Sequence, residues 1–485
     1  MKNRGAIFIG LLLWLSMLLY FFNMDMEAFV LFLIMPLMIG VPLYFVIRTG
    51  YFVLTLFFGL TFIAHAISPA FFFLNREHFS YSGFSAIKDF NFDLYEFLSI
   101  YGYFYVLILL VLFFTLTFNK ILIKNKEKKH LHRNSPKSSI VDQHIGIFRS
   151  IRKTRGLNSG FFAFLLIVFI FGALLPLNIF MYTNGIGIST VQPTAMPFKL
   201  VGITFYLRNY IAPLIISYLY FKSNRNMSIA LIILFYASFI GILSLSKGNI
   251  VLTCFPVLLF ALLDRKIVRL SFVFLYVLGL YGFVAWSRQF VFLTDVGSFE
   301  MIQMILKNVS IESLIGSLNI MGTFSEFSFR LYGANVLVLA YQSNVGDSLT
   351  LLINFYLGQS ESLDEIIFSD VFGLVAVDEV VIGVGMGYLG TVLLLTNQNV
   401  LTILSVSFIT AIYLSVSEVI VKKYTSRVSV FAPAGYGFGF FMTFFIYDAN
   451  IAKYYVVLLA SLVGLFFMYF MRSLKYSSNN SLRQK

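Results

Sequence analysis

The chain has 485 residues, of which 59% are hydrophobic and only 12% are charged. A soluble protein carries about a quarter charged residues, so this composition excludes an ordinary soluble globular protein. The net charge of +13 would suit a nucleic-acid-binding protein. The positions of the basic residues along the chain instead indicate loops on the cytoplasmic side of a membrane.

Apolar runs of about 20 residues recur along the chain, which is the length that an α-helix needs to cross a bilayer. Barrel strands would instead alternate over about 10 residues. The first run follows a basic start but no small-residue cleavage site follows it, so we interpret it as a retained span. The sequence predicts an all-α, polytopic membrane bundle of about 12–14 helices, forming one integral membrane domain over residues 1–485. The runs cover residues 6–22, 28–47, 51–73, 95–118, 161–180, 201–221, 227–245, 249–263, 270–286, 380–396, 400–421, 429–447 and 451–471.

Residues 119–160 form a basic loop. Eleven of the 35 Lys and Arg residues fall between Lys120 and Arg155. Cytoplasmic loops carry such an excess, so this loop is predicted to be cytoplasmic and to touch anionic lipid. No aromatic platform is interleaved with the basic residues, which argues against RNA or DNA as a partner.

Residues 287–379 form the longest stretch without an obvious span. They hold eleven of the 22 acidic residues but only three basic ones. Charge alternation between successive loops predicts that this loop is extracytoplasmic. Its length predicts partly helical structure rather than a plain connector.

The number of runs conflicts with the basic C-terminal tail. Thirteen crossings would put that tail outside, although its charge predicts the inside. We expect the Gly-rich run 380–396 to dip into the membrane and return, because irregular backbone is tolerated where protein or water lines it. The alternative is a further crossing hidden in residues 330–356.

Standard catalytic motifs are missing from the sequence. It has no Walker loop, no dinucleotide fingerprint and no His-Glu-x-x-His, so ATP hydrolysis is not expected. No histidine follows His144, and Cys254 lies in an apolar run without metal-ligand spacing. We predict that Cys254 is an inert thiol and that His65, inside a span, is a packed residue bonded to a neighbouring helix. Ligand binding or proton relay is the alternative for His65. No metal and no cofactor are expected.

The candidate functional residues are lysines and arginines at positions where a positive charge is unfavourable, inside a span or on the outer side of the membrane. Arg208 lies about 12 Å deep in its span, and an intramembrane arginine is a functional candidate by default. Lys199 precedes the same helix and could instead be an interfacial lysine. Lys247 and Gly248 lie in a short outer connector, where a charge and a helix start suit an anion. An ordinary turn lysine is the alternative.

Arg288 and Arg330 lie in the otherwise acidic loop. Together with the other cations they could bind a pyrophosphate at the outer membrane face, because arginine makes bidentate contacts. The alternative is pairing with loop carboxylates such as Glu326, which is four residues before Arg330. Glu326, Asp378 or Glu379 could also be a general base. The densest acidic cluster, Glu361 with Asp364 and Glu365, is expected to be a solvated face, with a Mg²⁺ or Ca²⁺ site as its alternative.

Four stretches give the chain a resemblance to the O-antigen polymerase (Wzy-type) family of oligosaccharide repeat-unit polymerases. They are GILSLSKGNIVL, VAWSRQF, EFSFRLYGANVLVLAYQ and GVGMGYLG, and the likeness in layout covers residues 160–470. The family often has arginine at the position of Lys247.

The resemblance implies a metal-independent glycosyltransferase of the bacterial inner membrane. Its donor and acceptor would be glycans linked to undecaprenyl pyrophosphate, and a chain-length regulator protein is a further partner that it implies. In this reading Arg288, Arg330 and Glu326 are catalytic, and Arg208, Lys247 and Lys199 bind pyrophosphate.

Two other functions fit a membrane protein of this layout. An O-antigen ligase would use the same donor, but such ligases depend on an outer-loop histidine, and residues 145–485 contain none. A flippase or other transporter would show two similar halves, which this sequence lacks.

Overall fold

The structure is a computed structural model of the chain. It describes residues 25–66, 68–74, 79–80, 87–88, 93–127, 159–184, 200–263, 266–291, 400–425, 432–447 and 453–466, together with isolated helical residues at 19, 22–23, 337, 353–354, 356–357, 451 and 469. The predicted loops 119–160 and 287–379 therefore fall largely outside the described residues.

The described residues are almost entirely helical, which confirms the predicted all-α membrane bundle. The exception is a two-residue antiparallel pair, β1 (Phe79–Ser80) with β2 (Ile87–Lys88). The helices are α1 (Met26–Thr49), α2 (Phe52–His65), α3 (Ser68–Leu74), α4 (Leu94–Glu127), α5 (Ser159–Thr183), α6 (residues 200–222), α7 (Met227–Ser244), α8 (Lys247–Leu263), α9 (Ile267–Val291), α10 (Val400–Thr425), α11 (Ala432–Tyr447) and α12 (Lys453–Phe466).

Six of these segments are long and apolar enough to cross a membrane. They are Met26–Thr49, Phe52–Leu74, Leu94–Leu122, Ser159–Thr183, Met227–Ser244 and Val400–Thr425. The number of crossings also depends on segments outside the described residues, so the figure of about 12–14 stays a prediction.

Several helix boundaries differ from those predicted by the apolar runs. The run 51–73 contains α2 and α3, and residue 67 between them lies outside the described residues. Helix α4 continues to Glu127, into the loop predicted at 119–160, and α9 continues to Val291. Charged residues at the end of a span can prolong a helix beyond the bilayer, because its backbone hydrogen bonds do not depend on the apolar run.

The chain divides into two compact units. The terminal unit comprises Met1–Ile145 and Ser325–Lys485, and the middle unit comprises Gly146–Phe324. The single membrane domain over residues 1–485 stays a prediction.

In the terminal unit, α10 packs against α4, α11 and α2. Its buried Glu418 accepts hydrogen bonds from the backbone N–H groups of Phe52 (3.2 Å) and Val53 (2.8 Å) at the start of α2. A helix start leaves its first N–H groups without intrahelical partners. The carboxylate therefore closes the end of a helix that lies far away in sequence.

In the middle unit, α5 to α9 surround one apolar core. Helix α8 packs against α7, α9 and α6, and α6 packs against α5. The core includes Ile233, Ala237, Ile250, Cys254 and Val284, all buried. Cys254 is a buried free thiol, in keeping with its predicted packing role.

Candidate functional site

Arg208 lies in a π-helical segment, Leu207–Ile211, within α6. Helix α5 contains a second one, Phe169–Leu174. Each segment ends two residues before a proline, Pro213 in α6 and Pro176 in α5. Proline has no amide hydrogen and its ring clashes with the carbonyl four residues earlier, which disrupts the regular α-helical ladder. Wider π turns occur often at functional sites.

The Arg208 side chain is buried, with only 6% of its surface exposed. It interacts electrostatically with Tyr236 of α7. Arg208 lies eight residues from Leu200 in α6, and Tyr236 lies eight residues from Ser244 in α7. Both of these helix ends are predicted to be outside. At 1.5 Å per residue, both are about 12 Å below those ends.

Asn178 of α5 completes this cluster. Its Nδ2 donates to the hydroxyl of Tyr236 at 2.9 Å and to the backbone carbonyl of Leu174 at 2.7 Å. Leu174 is the last residue of the π-helical segment in α5. We call Asn178, Arg208 and Tyr236 the donor cluster, and it joins three helices of the middle unit.

Helices α7, α8 and α9 meet closely near the ends that are predicted to be outside. A side-chain carbon added at Gly241 would lie 2.6 Å from Cγ1 of Ile250 and 3.8 Å from Cγ2 of Val284. Lys247 precedes Ile250 by three residues, and Arg288 follows Val284 by four. Both positions therefore lie about one helical turn further out than this contact.

The turn between α7 and α8 is held by its own polar side chains. Ser244 donates to the carbonyl of Ile240 at 2.7 Å, and Nδ2 of Asn249 donates to the Ser244 hydroxyl at 3.1 Å. Leu245 between them is buried and has a left-handed backbone, with φ of 45°. These contacts fix the start of α8 at Lys247, where the sequence predicted a helix start.

The six sequence-predicted site residues fall into three groups. Arg208 is described in full and is buried. Lys247 and Arg288 are placed by their helical backbone alone, the first at the start of α8 and the second in the last turn of α9. Lys199, Glu326 and Arg330 lie outside the described residues, so the predictions about them remain untested.

Asn178 and Tyr236 were missed by sequence reasoning. Both are uncharged residues within apolar runs, where an isolated amide or phenol is unremarkable. The two prolines were a usable signal, because each lies two residues after a segment that departs from the α-helix. Asn178 comes two residues after Pro176.

Comparisons with known proteins found no match for the chain. No family model, curated protein or solved structure matches it. The chemistry of the donor cluster is therefore the basis for a proposal about function.

The donor cluster suits an anionic ligand. Guanidinium carries five N–H donors and no acceptor, and a phenol adds one O–H donor. Within a low-dielectric interior such donors interact strongly with an oxyanion. Among the described residues, no group of three or more His, Cys, Asp or Glu side chains could hold a metal ion.

Proposed function

We propose that the protein joins oligosaccharide repeat units carried on undecaprenyl pyrophosphate into O-antigen or a related surface polysaccharide. The reaction takes place at the outer face of the bacterial inner membrane. The growing chain is transferred from its lipid pyrophosphate to the non-reducing sugar of a new lipid-linked unit. The leaving group is undecaprenyl pyrophosphate.

The observation that carries this proposal is the buried guanidinium of Arg208 in the middle unit. A cation inside a membrane span is expensive and marks a functional site by default. The backbone of that unit also places Lys247 and Arg288 at the ends of α8 and α9 that are predicted to be outside. A diphosphate leaving group is the kind of ligand that several such cations would stabilise.

The proposed role of these cations is to stabilise charge as the glycosidic bond to the donor pyrophosphate breaks. Interactions that strengthen in the transition state raise the rate of the chemical step. In this scheme Arg208 and Lys247 bind the pyrophosphate and, together with Arg288, stabilise the negative charge that develops on it as it leaves. Lys199, Arg330 and the general base Glu326 keep their roles from the sequence resemblance alone.

Purified full-length protein with lipid-linked repeat units, in EDTA and without nucleotide, tests the proposal. A ladder of polymer lengths is the expected result, because the donor pyrophosphate bond supplies the energy. Failure to form polymer under these conditions and also with added Mg²⁺ would overturn the proposal. A ladder that forms only with Mg²⁺ would overturn its metal-independent mechanism.

Deletion of the gene separates polymerase from ligase and flippase. Surface polysaccharide displayed on a gel should then show one repeat unit on the lipid core, because ligation and transport continue. Complete loss of capped lipid core would instead favour a ligase or a flippase.

A further inference from the structure

Tyr356 is a described residue of the loop predicted at 287–379, and it packs against α10. Its ring stacks on the ring of Tyr413, with the two centroids 5.9 Å apart and the two planes at 5° to each other. Its hydroxyl donates to the carbonyl of Val406 at 3.5 Å and lies 3.5 Å from the hydroxyl oxygen of Thr410. This part of the predicted loop therefore lies against a helix that is long and apolar enough to cross the membrane.

The contacts along α10 give the depth of Tyr356. Helix α10 carries Lys422 in its last turn, at the end predicted to be cytoplasmic. Val406 and Tyr413 precede Lys422 by 16 and 9 residues, which places them about 24 Å and 14 Å from it along the helix axis. The hydrocarbon core of a bilayer is about 30 Å thick. The side chain of Tyr356 is therefore at the depth of the outer half of that core.

The backbone of Tyr356 has a partner on a second helix. The hydroxyl of Tyr455 in α12 donates to the carbonyl of Tyr356 at 2.7 Å, and it also contacts the hydroxyl of Tyr413. Water is absent from the hydrocarbon core, so a peptide group at that depth needs a partner from the protein. Helix α12 supplies such a partner.

Ile353 and Leu357 form an exposed apolar face next to Tyr356. Their side chains are 51% and 58% exposed, whereas Tyr356 is 8% exposed. All three residues are helical, and residues four apart lie on the same side of a helix. Exposure of two such side chains to water is unfavourable. At the depth of Tyr356 this face would meet the acyl chains of lipids.

We infer that Ile353, Tyr356 and Leu357 lie in the outer half of the bilayer, where Ile353 and Leu357 contact lipid acyl chains and Tyr356 is held by α10 and α12. The predicted outer loop is thus anchored in the membrane 23 residues after Arg330. The candidate catalytic residues of the loop all precede this anchor in the chain, so their predicted outer location is unchanged. The inference does not depend on the proposed reaction.

Spin labels on single cysteines test the depth of this face. Ile353→Cys and Leu357→Cys are made in a Cys254→Ala background of the full-length protein, labelled, and placed in lipid nanodiscs. Collision rates are measured with oxygen, which dissolves in lipid, and with a water-soluble nickel chelate. Both labels should collide mainly with oxygen, in the same ratio as a label at Ile412→Cys. Ile412 is a 41% exposed apolar residue of α10, next to Tyr413.

A label at Ser478→Cys, in the polar C-terminal tail, is the aqueous reference and should collide mainly with the nickel chelate. The inference is overturned if the labels at Ile353→Cys and Leu357→Cys give this aqueous ratio. It is also overturned if Leu357→Cys forms disulfide-linked dimers in native membranes, because a second copy of the chain would then cover the face. These measurements need no polymer, so their outcome is separate from that of the proposed function.

Tyr455→Phe tests whether α12 holds the segment. The carbonyl of Tyr356 then loses this donor, so a label at Leu357→Cys should become more accessible to the nickel chelate. Tyr276→Phe is the matched control, because Tyr276 of α9 also donates to a helix carbonyl, that of Leu234 at 3.2 Å. It should leave the accessibility of the label unchanged. The same accessibility in Tyr455→Phe as in the control would overturn the anchoring role of α12.

Discussion

The two units each bury a charged side chain, and they use it differently. The carboxylate of Glu418 in the terminal unit accepts two backbone hydrogen bonds from the start of α2. The guanidinium of Arg208 in the middle unit interacts electrostatically with Tyr236, whose hydroxyl accepts a hydrogen bond from Asn178. The first charge closes the start of a helix, whereas the second lies near a phenol and an amide. Burial of a charge therefore does not by itself identify a ligand site.

The helices around the two charges also differ in the regularity of their backbone. In the terminal unit α10 and α11 are regular α-helices, and small residues allow them to approach closely at Gly435 and Gly439. In the middle unit α5 and α6 are each interrupted by a π-helical segment. Regular packing suits a scaffold, and interrupted helices are frequent where a membrane protein binds a ligand.

The largest effect is expected from removing the carboxylate in the terminal unit. Glu418→Ala would leave the buried N–H groups of Phe52 and Val53 without their acceptor. Each unsatisfied donor costs about 1–3 kcal/mol, so the variant should be destabilised by roughly twice that. The amount of folded protein in membranes and its thermal unfolding in detergent measure this loss.

Glu418→Gln provides the control for charge. The amide keeps one oxygen acceptor at the same position, so it should be destabilised less than Glu418→Ala. Equal loss in both variants would mean that the negative charge, and not the hydrogen bonds to α2, is what stabilises the unit. Normal abundance and unfolding of Glu418→Ala would contradict the capping role altogether.

The sequence identified most helices of both units but not the use of these charges. Apolar runs locate helices because the bilayer requires a fixed apolar length, and α7 and α10 begin within one residue of the predicted runs. The contact of Glu418 with α2 joins residues 366 apart in sequence. Such pairing depends on which helices are neighbours, and hydropathy carries no information about that.

The packing of His65 shows a similar limit. Hydropathy predicted one span over residues 51–73, and Phe52–Leu74 is long and apolar enough to be one. His65 is fully buried there and contacts Tyr101 of α4, with 3.1 Å between Nδ1 and the hydroxyl. The apolar run does not encode which helix this residue contacts. The packed histidine itself was predicted.

The second-largest effect is expected from removing the guanidinium in the middle unit. Arg208→Ala should lower the rate of polymer formation by about 10²–10³-fold, the usual loss for one transition-state donor. Folded protein should remain in the membrane, in contrast to Glu418→Ala. Initial rates of ladder formation, normalised to folded protein, give the measurement.

Arg208→Lys tests the geometry of that contact. Lysine retains the charge but cannot make a bidentate contact, so it should restore little of the lost rate. Full activity of Arg208→Ala would contradict the proposed role. Loss of folded protein in both Arg208 variants would show that the buried guanidinium is structural, as Glu418 is.

The smallest effects should come from glycines at helix contacts, and they compare packing in the two units. A carbon added at Gly439 of α11 would overlap Cγ2 of Val421 and lie 3.3 Å from two ring carbons of Phe52. Valine is stiff at χ1 and cannot easily move aside. Gly439→Ala should therefore destabilise the protein by about 1–3 kcal/mol.

Gly241→Ala in the middle unit should also cost about 1–3 kcal/mol of stability, because the added carbon meets Cγ1 of Ile250 at 2.6 Å and isoleucine is likewise stiff at χ1. Unlike Gly439→Ala, it should also slow polymer formation, since it pushes apart the helices whose next turns carry Lys247 and Arg288. Gly59→Ala is the control, because nothing lies within 4 Å of its added carbon; there alanine should be neutral or stabilising by up to about 1 kcal/mol. Thermal unfolding and ladder rates measured on all three variants separate scaffold from site. A Gly241→Ala protein with wild-type rates would show that the spacing of α7 and α8 does not matter to the reaction.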